Sequence, residues 1–226
     1  MEKEKYDLRY FEKETKYYSH VRPEIIRLIP HKVNRILDVG CSDGSFATQV
    51  LENKLCNEAD GIEPFENAYL EAKNKLTNTY NGTVEDTIPF LKDNYYDIIF
   101  FNDVLEHLSD PEIVLRDFQK KLTKDGIIIT SVPNVRYILN LYNVIFKKDW
   151  EYEESGVLDK THLRFFTLKS FARLAQNAGY NLEYIGGNEE TKIGFSGVKK
   201  LFNLIFFSFL KDTKYLQIIS VLKPKN

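Results

Sequence analysis

The chain has 226 residues, of which 43% are hydrophobic, and this is enough to bury one sizeable core. A formal net charge of −2, with lysines scattered rather than clustered, gives no bulk electrostatic attraction to nucleic acid or to an anionic membrane. Cys41 and Cys56 form neither a disulfide framework nor a zinc-binding spacing with histidine, which favours a reducing, cytoplasmic location. The charged stretch 1–7 does not resemble a signal peptide, and the apolar run 201–210 is shorter than the roughly 17–25 residues that span a bilayer.

Residues 1–33 are predicted to form an N-terminal helical cover. Apolar and aromatic residues recur there at helical spacing as far as Ile29, and Pro30 ends the pattern. Pro23 is expected in the first turn of a helix, where proline is tolerated.

The segment 35–46 predicts a buried strand, a tight turn and the start of a helix. Gly40 and Gly44 let the backbone turn sharply and let a ligand lie against it without a Cβ atom in the way. The dinucleotide-binding fingerprint does not fit, because Ser42 and Ser45 stand where its second and third glycines belong. The Walker pattern does not fit either, because no Gly-Lys-Ser/Thr follows.

Strands and helices alternate along the rest of the chain. Strands are predicted at 34–39, 58–63, 78–83, 96–101, 127–132, 180–186 and 215–223, and helices at 45–54, 66–76, 111–123 and 168–178. Turns are expected at 124–126 and 186–187. This alternation predicts an α/β fold with a doubly wound, mostly parallel sheet and helices on both faces.

The alternation stops after the fifth predicted strand. Residues 134–167 contain an amphipathic stretch at 138–146 and an aromatic, acidic stretch at 149–154. A long connection at the carboxyl end of a parallel strand lies where such sheets bind ligands, so we predict a substrate lid at 134–167. An apolar helix is predicted at 197–210, within a segment 195–212 before the last strand. Residues 1–226 are interpreted as a single domain.

The run Asp38-Val39-Gly40-Cys41-Ser42-Asp43-Gly44 resembles the first motif of class I S-adenosylmethionine-dependent methyltransferases, with Ser42 in place of the middle glycine. Glu63, at the end of the second predicted strand, matches an acid that accepts hydrogen bonds from both ribose hydroxyls. Further matches are Asp103-x-x-Glu106-His107 with Asp110-Pro111, and the Pro133-Asn134 end of the fifth strand. The resemblance implies a seven-stranded sheet with an antiparallel last strand, and S-adenosylmethionine as cofactor.

The resemblance also implies a set of cofactor-binding residues near the carboxyl ends of the strands. Thr83 and Val84 are expected to hold adenine through their backbone groups. Tyr18 and Arg22 belong to a lead-in helix that, in similar enzymes, covers the cofactor. The full predicted set is Asp38, Gly40, Cys41, Gly44, Glu63, Pro64, Thr83, Val84, Asn102, Arg22 and Tyr18.

Methyl transfer from a sulfonium is an in-line displacement, so the protein aligns the acceptor and, for a hydroxyl, removes a proton. His107, just beyond the fourth strand, is the first candidate for this base because imidazole titrates near neutral pH. His162 of the lid is the second candidate, and Asp103 completes the predicted catalytic set. Alternatively, His107 orders its loop by hydrogen bonds, and His162 and Arg164 tie down the lid.

The spacing of Asp103, Glu106 and His107 places them on one face of a helical turn. With His162 as a fourth ligand, they would suit a divalent ion that polarises an acceptor hydroxyl. Some O-methyltransferases with a similar motif use a metal in this way, although Asp103 is shorter than their glutamate. We expect a site without metal and keep the metal site as the alternative.

The block 158–167 resembles a subset of these enzymes that methylate glycans and related small molecules. The predicted acceptor is therefore a hydroxyl of a sugar or sugar nucleotide of surface glycan synthesis. One alternative is an amphipathic lipid or quinone, with 138–146 and 201–210 in peripheral contact with a membrane. Another is a module that binds the cofactor without catalysis. No nucleic-acid partner is expected, because the chain lacks a basic stripe. Burial of 197–210 against a second subunit would give a homodimer.

Overall fold

The computed structural model describes residues 22–189 and 210–225. Its strands are β1 (Arg35–Val39), β2 (Glu58–Glu63), β3 (Asn78–Asn81), β4 (Tyr96–Asn102), β5 (Leu122–Pro133), β6 (Tyr180–Glu189) and β7 (Tyr215–Pro224). They form one seven-stranded sheet in the order β3-β2-β1-β4-β5-β7-β6. Strands β1 to β5 pair in parallel, and β7 runs antiparallel to β5 and β6. The predicted fold class is confirmed.

The helices of the described residues lie between these strands. They are α1 (Pro23–Ile26), α2 (Ser45–Glu52), α3 (Glu66–Lys73), α4 (Val84–Thr87), α5 (Pro111–Phe118), α6 (Ile138–Tyr142) and α7 (Leu168–Asn177). Single 3₁₀ turns occur at Ile88–Phe90, Leu105–His107 and Gln119–Lys121, and a π-helical turn, Asn143–Lys147, follows α6. Within this part of the chain, no helix has the length and apolar character needed to cross a membrane.

Alternate side chains of the central strand β4 face opposite layers of the molecule. The ring of Phe101 packs edge-on against Phe118 of α5, with centroids 5.1 Å apart. The ring of Phe100 packs in the same way against Phe46 of α2 on the other face, also at 5.1 Å. Because both faces of β4 are buried, five of its seven residues are apolar or aromatic, and the polar ones are Asp97 and Asn102 near its two ends.

The register aligns the carboxyl ends of three neighbouring strands. Val39 at the end of β1 pairs with Ile62 of β2 on one side and with Phe101 of β4 on the other. The strand order reverses at β1, because the chain continues to β2 on one side and later returns to β4 on the other. A sheet of this kind opens a crevice for ligands at that point.

Two predicted turns are wrong. The residues 124–126 lie inside β5, which begins at Leu122. Gly186 and Gly187 lie inside β6 and pair with Ile219 and Ile218 of β7. A Cβ atom at Gly187 would stand 2.3 Å from the carbonyl oxygen of Gln217, so glycine allows a close approach of strands here rather than a turn.

Several predicted helices are longer than the observed ones. The predicted helix 45–54 ends at Glu52, because Lys54 takes a left-handed conformation with φ of 57°. The predicted helices 66–76 and 111–123 end at Lys73 and Phe118. Of the N-terminal cover, the structure describes only α1, and Tyr18 and most of the predicted helix 197–210 lie outside the described residues.

Residues 134–167 connect β5 to α7 and are anchored at both ends. Asn134 bridges to Phe166, and its side-chain amide donates to the carbonyl oxygens of Asp212 and Tyr215. Arg136 forms an ion pair with Asp212 at 2.8 Å. The middle of the connection presents large apolar side chains to solvent, namely Leu139, Tyr142, Val144, Ile145 and Phe146.

Candidate functional site

A cleft of about 240 Å³ opens at the carboxyl ends of β1, β2 and β4. Most of the predicted cofactor-binding and catalytic residues that follow these strands line it. They are Gly40, Glu63, Pro64, Thr83, Val84, Asn102, Asp103 and His107. Residues that had not been singled out also line the cleft, including Phe65 and Ser109.

The loop after β1 is held in a left-handed conformation at three alternating positions. Gly40, Ser42 and Gly44 have φ values of 70°, 49° and 78°. Ser42 therefore takes the conformation that a middle glycine would supply, in a region of φ that costs an L-residue roughly 1–2 kcal/mol. A Cβ atom at Gly40 would lie 2.6 Å from Cγ2 of Val104, so the backbone approaches the loop after β4 too closely for any side chain.

Glu63 ties this loop to the end of β2. Its carboxylate accepts hydrogen bonds from the backbone N–H of Ser42 at 2.9 Å and of Phe65 at 2.8 Å. The side chain is only 2% exposed, and this burial raises the pKa of Glu63 to about 7. A carboxylate has about four lone-pair sites, so Glu63 can accept further hydrogen bonds from a ligand in the cleft.

Asp38 and Asn102 are buried and carry unsatisfied hydrogen-bonding atoms. Burial raises the pKa of Asp38 to about 7; the charge of Arg22 lowers it and that of Glu63 raises it. Within the described residues, Oδ1 of Asp38 and both side-chain polar atoms of Asn102 form no hydrogen bond of normal length and angle, although the Asn102 amide is close enough to Asp38 to lower its pKa. Buried polar groups of this kind usually have a partner, so their position beside the cleft fits a polar ligand.

Arg22, Cys41 and Gly44 do not line the cleft. Arg22 donates hydrogen bonds to Asp103 and to the hydroxyl of Ser131, 2.8 Å away, and so joins the N-terminal segment to the ends of β4 and β5. A Cβ atom on Gly44 would meet the backbone of α3 at 3.2 Å. Cys41 packs against Gly61 of β2, where a Cβ atom would stand 2.5 Å from its sulfur.

Two histidines meet beside the cleft. The rings of His107 and His162 are 4.8 Å apart at an angle of 66°. Nδ1 of His107 lies 3.2 Å from the carbonyl oxygen of Thr161, and Nδ1 of His162 lies 3.2 Å from that of Val157. Burial, and then the neighbouring His162, lower the pKa of His107, so the neutral ring is favoured.

Glu106 is buried beside these histidines. It is 1% exposed, and neither of its carboxylate oxygens has a hydrogen-bond partner in the described part of the chain. One of them lies 4.0 Å from Nε2 of His162. Burial, and then the neighbouring Asp103, raise the pKa of Glu106 well above its usual range. The sequence indicated Glu106 as part of the family motif and as a ligand of the alternative metal site, but its burial was not predicted.

The predicted four-residue metal group is present only in part. Ligand atoms of Glu106, His107 and His162 all lie within 4.8 Å of one another. Asp103 forms an ion pair with Arg22 instead and does not belong to this group. The three-residue group is brought together by the lid, since the backbone N–H groups of Leu163 and Arg164 donate to the carbonyl oxygen of Glu106 at 2.8 and 3.0 Å.

The lid continues outward from His162 as a group of aromatic rings. Phe165 lies 6.2 Å from His162, and the partly exposed Trp150 lies 5.4 Å from Phe165. Tyr152 lies 6.4 Å from Phe165. Rings of this kind present flat apolar faces for packing beside the histidines. Their sequence signal was the aromatic stretch 149–154, but its contact with His162 was not predicted.

A family model described as a methyltransferase domain matches residues 10–185. A small RNA 2'-O-methyltransferase of Tetrahymena thermophila is 27% identical in an alignment of 173 positions that covers 66% of this chain and 38% of that protein. A ubiquinone biosynthesis O-methyltransferase of Yersinia enterocolitica is 31% identical in an alignment of 105 positions that covers 44% of this chain and 43% of that protein. The chain thus spans less than half the length of these curated relatives.

Solved structures with the same fold cover nearly the whole chain. An S-adenosylmethionine-dependent methyltransferase of Archaeoglobus fulgidus aligns with a TM-score of 0.66 and 20% identity over 96% of this chain and 99% of that one. A methyltransferase structure from Thermotoga maritima aligns with a TM-score of 0.66 and 18% identity, over 97% of this chain and 98% of that one. At such identities the likeness establishes the fold alone.

The buried pair of Arg22 and Asp103 predicts an unequal cost for two arginine substitutions. Arg22→Ala should lower the free energy of unfolding by about 3 kcal/mol or more, because Asp103 is left buried and unpaired. Arg116→Ala, which breaks an exposed pair with Glu112, should change it by no more than about 0.5 kcal/mol. Urea unfolding of both variants measures the difference, and equal small effects would contradict the prediction.

Proposed function

This chain belongs to the methyltransferase-domain family of class I S-adenosylmethionine-dependent enzymes, and we propose that it methylates a hydroxyl group of a sugar or sugar nucleotide. The proposal is supported above all by one observation. His107 lines the same cleft as Glu63, so a base for the acceptor and an acid for the ribose of the donor share one cavity. S-adenosylmethionine is the donor in this family and supplies a methyl group already activated on sulfur.

We assign donor binding to the strand ends around the glycine loop. The free acceptor capacity of Glu63 suits the two ribose hydroxyls, and the backbone of Thr83 and Val84 suits adenine. Gly40 has no side chain to stand between its backbone and the donor. The unpartnered atoms of Asp38 and Asn102 offer further hydrogen bonds beside the cleft. These buried, unsatisfied groups fit a polar nucleoside better than an apolar ligand.

We assign proton removal to His107. Nδ1 of His107 faces the carbonyl oxygen of Thr161, so we place the ring proton on Nδ1 and assign Nε2 as the nitrogen that would accept the proton of the acceptor hydroxyl. His107 would accept the proton of the acceptor hydroxyl at Nε2 as the hydroxyl oxygen takes the methyl group that the donor would supply, with the electrons of the C–S bond left on the donor. Alignment of the reactants lowers the barrier by about 7–11 kcal/mol and a base by about 3–5 kcal/mol, so alignment contributes more than proton removal.

A second candidate chemistry uses a divalent ion at Glu106, His107 and His162. The observation that favours it is their close grouping, with ligand atoms within 4.8 Å of one another. Each histidine faces a backbone carbonyl with Nδ1, which is the usual outer contact of a metal-binding imidazole. Glu106, His107 and His162 would hold the ion, which would supply a Lewis acid for the acceptor hydroxyl, and Asp103, paired with Arg22, would not be a ligand.

The acceptor assignment is supported by the lid. Trp150 and Tyr152 present flat ring faces on which a sugar can pack, beside the histidine pair. The curated relatives favour two other acceptors, since one acts in ubiquinone biosynthesis and one is named for small RNA. The exposed apolar residues of α6 suit a quinone on a membrane surface. The acidic stretch 149–154 disfavours RNA.

The buried carboxyl of Glu63 predicts a pH-dependent affinity for S-adenosylhomocysteine. The pKa of Glu63 is about 7 without ligand. Ribose hydroxyls donate hydrogen bonds much better to the ionised carboxylate than to the protonated one. Binding of the nucleoside therefore lowers the pKa of Glu63, and its affinity rises with pH. Calorimetry should show an affinity about tenfold higher at about pH 8 than at about pH 6. The Glu63→Gln variant should bind S-adenosylhomocysteine weakly, and its affinity should change less with pH. The Glu66→Gln variant, which alters an exposed residue, should bind with the affinity and pH dependence of the wild type. An unchanged affinity in Glu63→Gln would refute the ribose assignment.

A panel of acceptors tests the proposed substrate class. The full chain is incubated with S-adenosylmethionine and nucleoside diphosphate sugars, with catechol-headed quinone precursors in liposomes, or with short RNA. Mass spectrometry should detect one added methyl group on a sugar nucleotide. Product from the quinone precursor or RNA alone would overturn the sugar assignment, and absence of product from every acceptor would favour a module that binds the cofactor without catalysis.

Chelation separates the two versions of the histidine chemistry. His107→Asn should lower kcat by about 10²–10⁴-fold and leave the affinity for S-adenosylhomocysteine unchanged, with the exposed His31→Asn as the matched control. Under the base mechanism, exhaustive chelation leaves wild-type turnover intact. If chelation abolishes turnover and a divalent ion restores it, the metal version replaces the base.

A further inference from the structure

A second concave surface, the Arg164–Arg173 groove, adjoins the cleft. It has a volume of about 350 Å³ and lies between the start of α5, the end of the lid and α7. Arg164, Phe166, Ser170 and Arg173 line it together with Ser109. Ser109 lines the cleft as well, two residues after His107. The cleft and the groove therefore share Ser109 as a common wall, and a molecule that reached from His107 to the groove would pass this residue.

The two arginines of the groove are not neutralised by its acidic residues. Arg164 donates to the carbonyl oxygens of Leu163 and Ser109, and it pairs with no carboxylate of the described residues. Arg173 is exposed and makes no hydrogen bond or ion pair within the described part of the chain.

The two carboxylates that line the groove are already occupied. Asp110 caps α5 by accepting the backbone N–H of Ile113 at 3.1 Å. Glu112 pairs with Arg116 at 2.7 Å. The guanidinium groups of Arg164 and Arg173 thus have no carboxylate partner within the described residues, while Asp110 and Glu112 keep their negative charges at the start of α5.

We propose that the Arg164–Arg173 groove binds the diphosphate of the acceptor, which makes the acceptor a nucleoside diphosphate sugar rather than a free sugar. This rests on the proposed function and narrows its substrate class. A guanidinium group offers paired N–H donors that match phosphate oxygens, and two such groups suit a diphosphate. The buried ring of Phe166 forms an apolar part of the groove, and Asn177 adds one more polar side chain to its lining.

The groove favours a small diphosphate over a nucleic acid. Nucleic acid is bound by basic residues that follow its backbone over many phosphates. Here two arginines lie in one groove, and the nearby lid carries the exposed acids Asp149, Glu151, Glu153 and Glu154. A long polyanion would be repelled by this stretch, whereas a single diphosphate need not contact it.

The test measures anion binding and donor binding separately on the full chain. Titration calorimetry with inorganic pyrophosphate should show binding that Arg173→Ala weakens about tenfold and Arg173→Lys weakens less. Lys169→Ala removes an exposed cation on the same helix outside the groove and should leave the affinity unchanged. In turnover of a nucleoside diphosphate sugar, Arg173→Ala should raise KM about tenfold at unchanged kcat.

The outcomes distinguish this inference from the proposed function. If pyrophosphate does not bind, or binds equally to the wild type and to Arg173→Ala, the proposal that the groove binds a diphosphate is wrong. Normal binding of S-adenosylhomocysteine would then leave the methyltransferase assignment in place. Binding of a short RNA that depends on Arg173, without binding of pyrophosphate, also overturns it. Loss of pyrophosphate binding in Arg173→Ala supports the groove even if no methylated sugar is found.

Discussion

The structure of the site depends on one buried carboxylate. Glu63 accepts one backbone N–H from the loop after β1 and another from the loop after β2, and so fixes two loops with a single side chain. Burial makes a negative charge costly at this position and so raises the pKa of Glu63 to about 7. A ligand that donates hydroxyl groups to Glu63 would offset that cost. The same contact that shapes the glycine loop is therefore the one we assign to the donor.

The reacting side of the cleft depends on the lid in a similar way. The lid backbone donates two hydrogen bonds to the carbonyl oxygen of Glu106, and this contact brings His162 against His107. Both the base and the metal version of the chemistry use this arrangement. The aromatic rings at 150–165 and the Arg164–Arg173 groove extend from the same segment. The connection between β5 and α7 thus supplies His162, the aromatic rings and one side of the groove, while α5 and α7 supply the rest of the groove.

Sequence patterns predicted the parts of the structure that local rules determine. The bounds of β2 were predicted as observed, because the strand ends at an acid that is followed by proline. Ser42 takes the left-handed turn of the family's middle glycine, although serine lacks its freedom. The glycine pair 186–187 was misread as a turn because pairing with β7 outweighs local turn preference. The ion pair of Arg22 and Asp103 and the burial of Glu106 join distant segments, and no local pattern reports such contacts.

The most direct measurement is a crystal structure of the full chain with S-adenosylhomocysteine. Our account predicts that the nucleoside lies in the cleft, with both ribose hydroxyls on Glu63, adenine against Val84, and the sulfur directed toward His107. A nucleoside bound elsewhere, or one whose ribose does not contact Glu63, would contradict it.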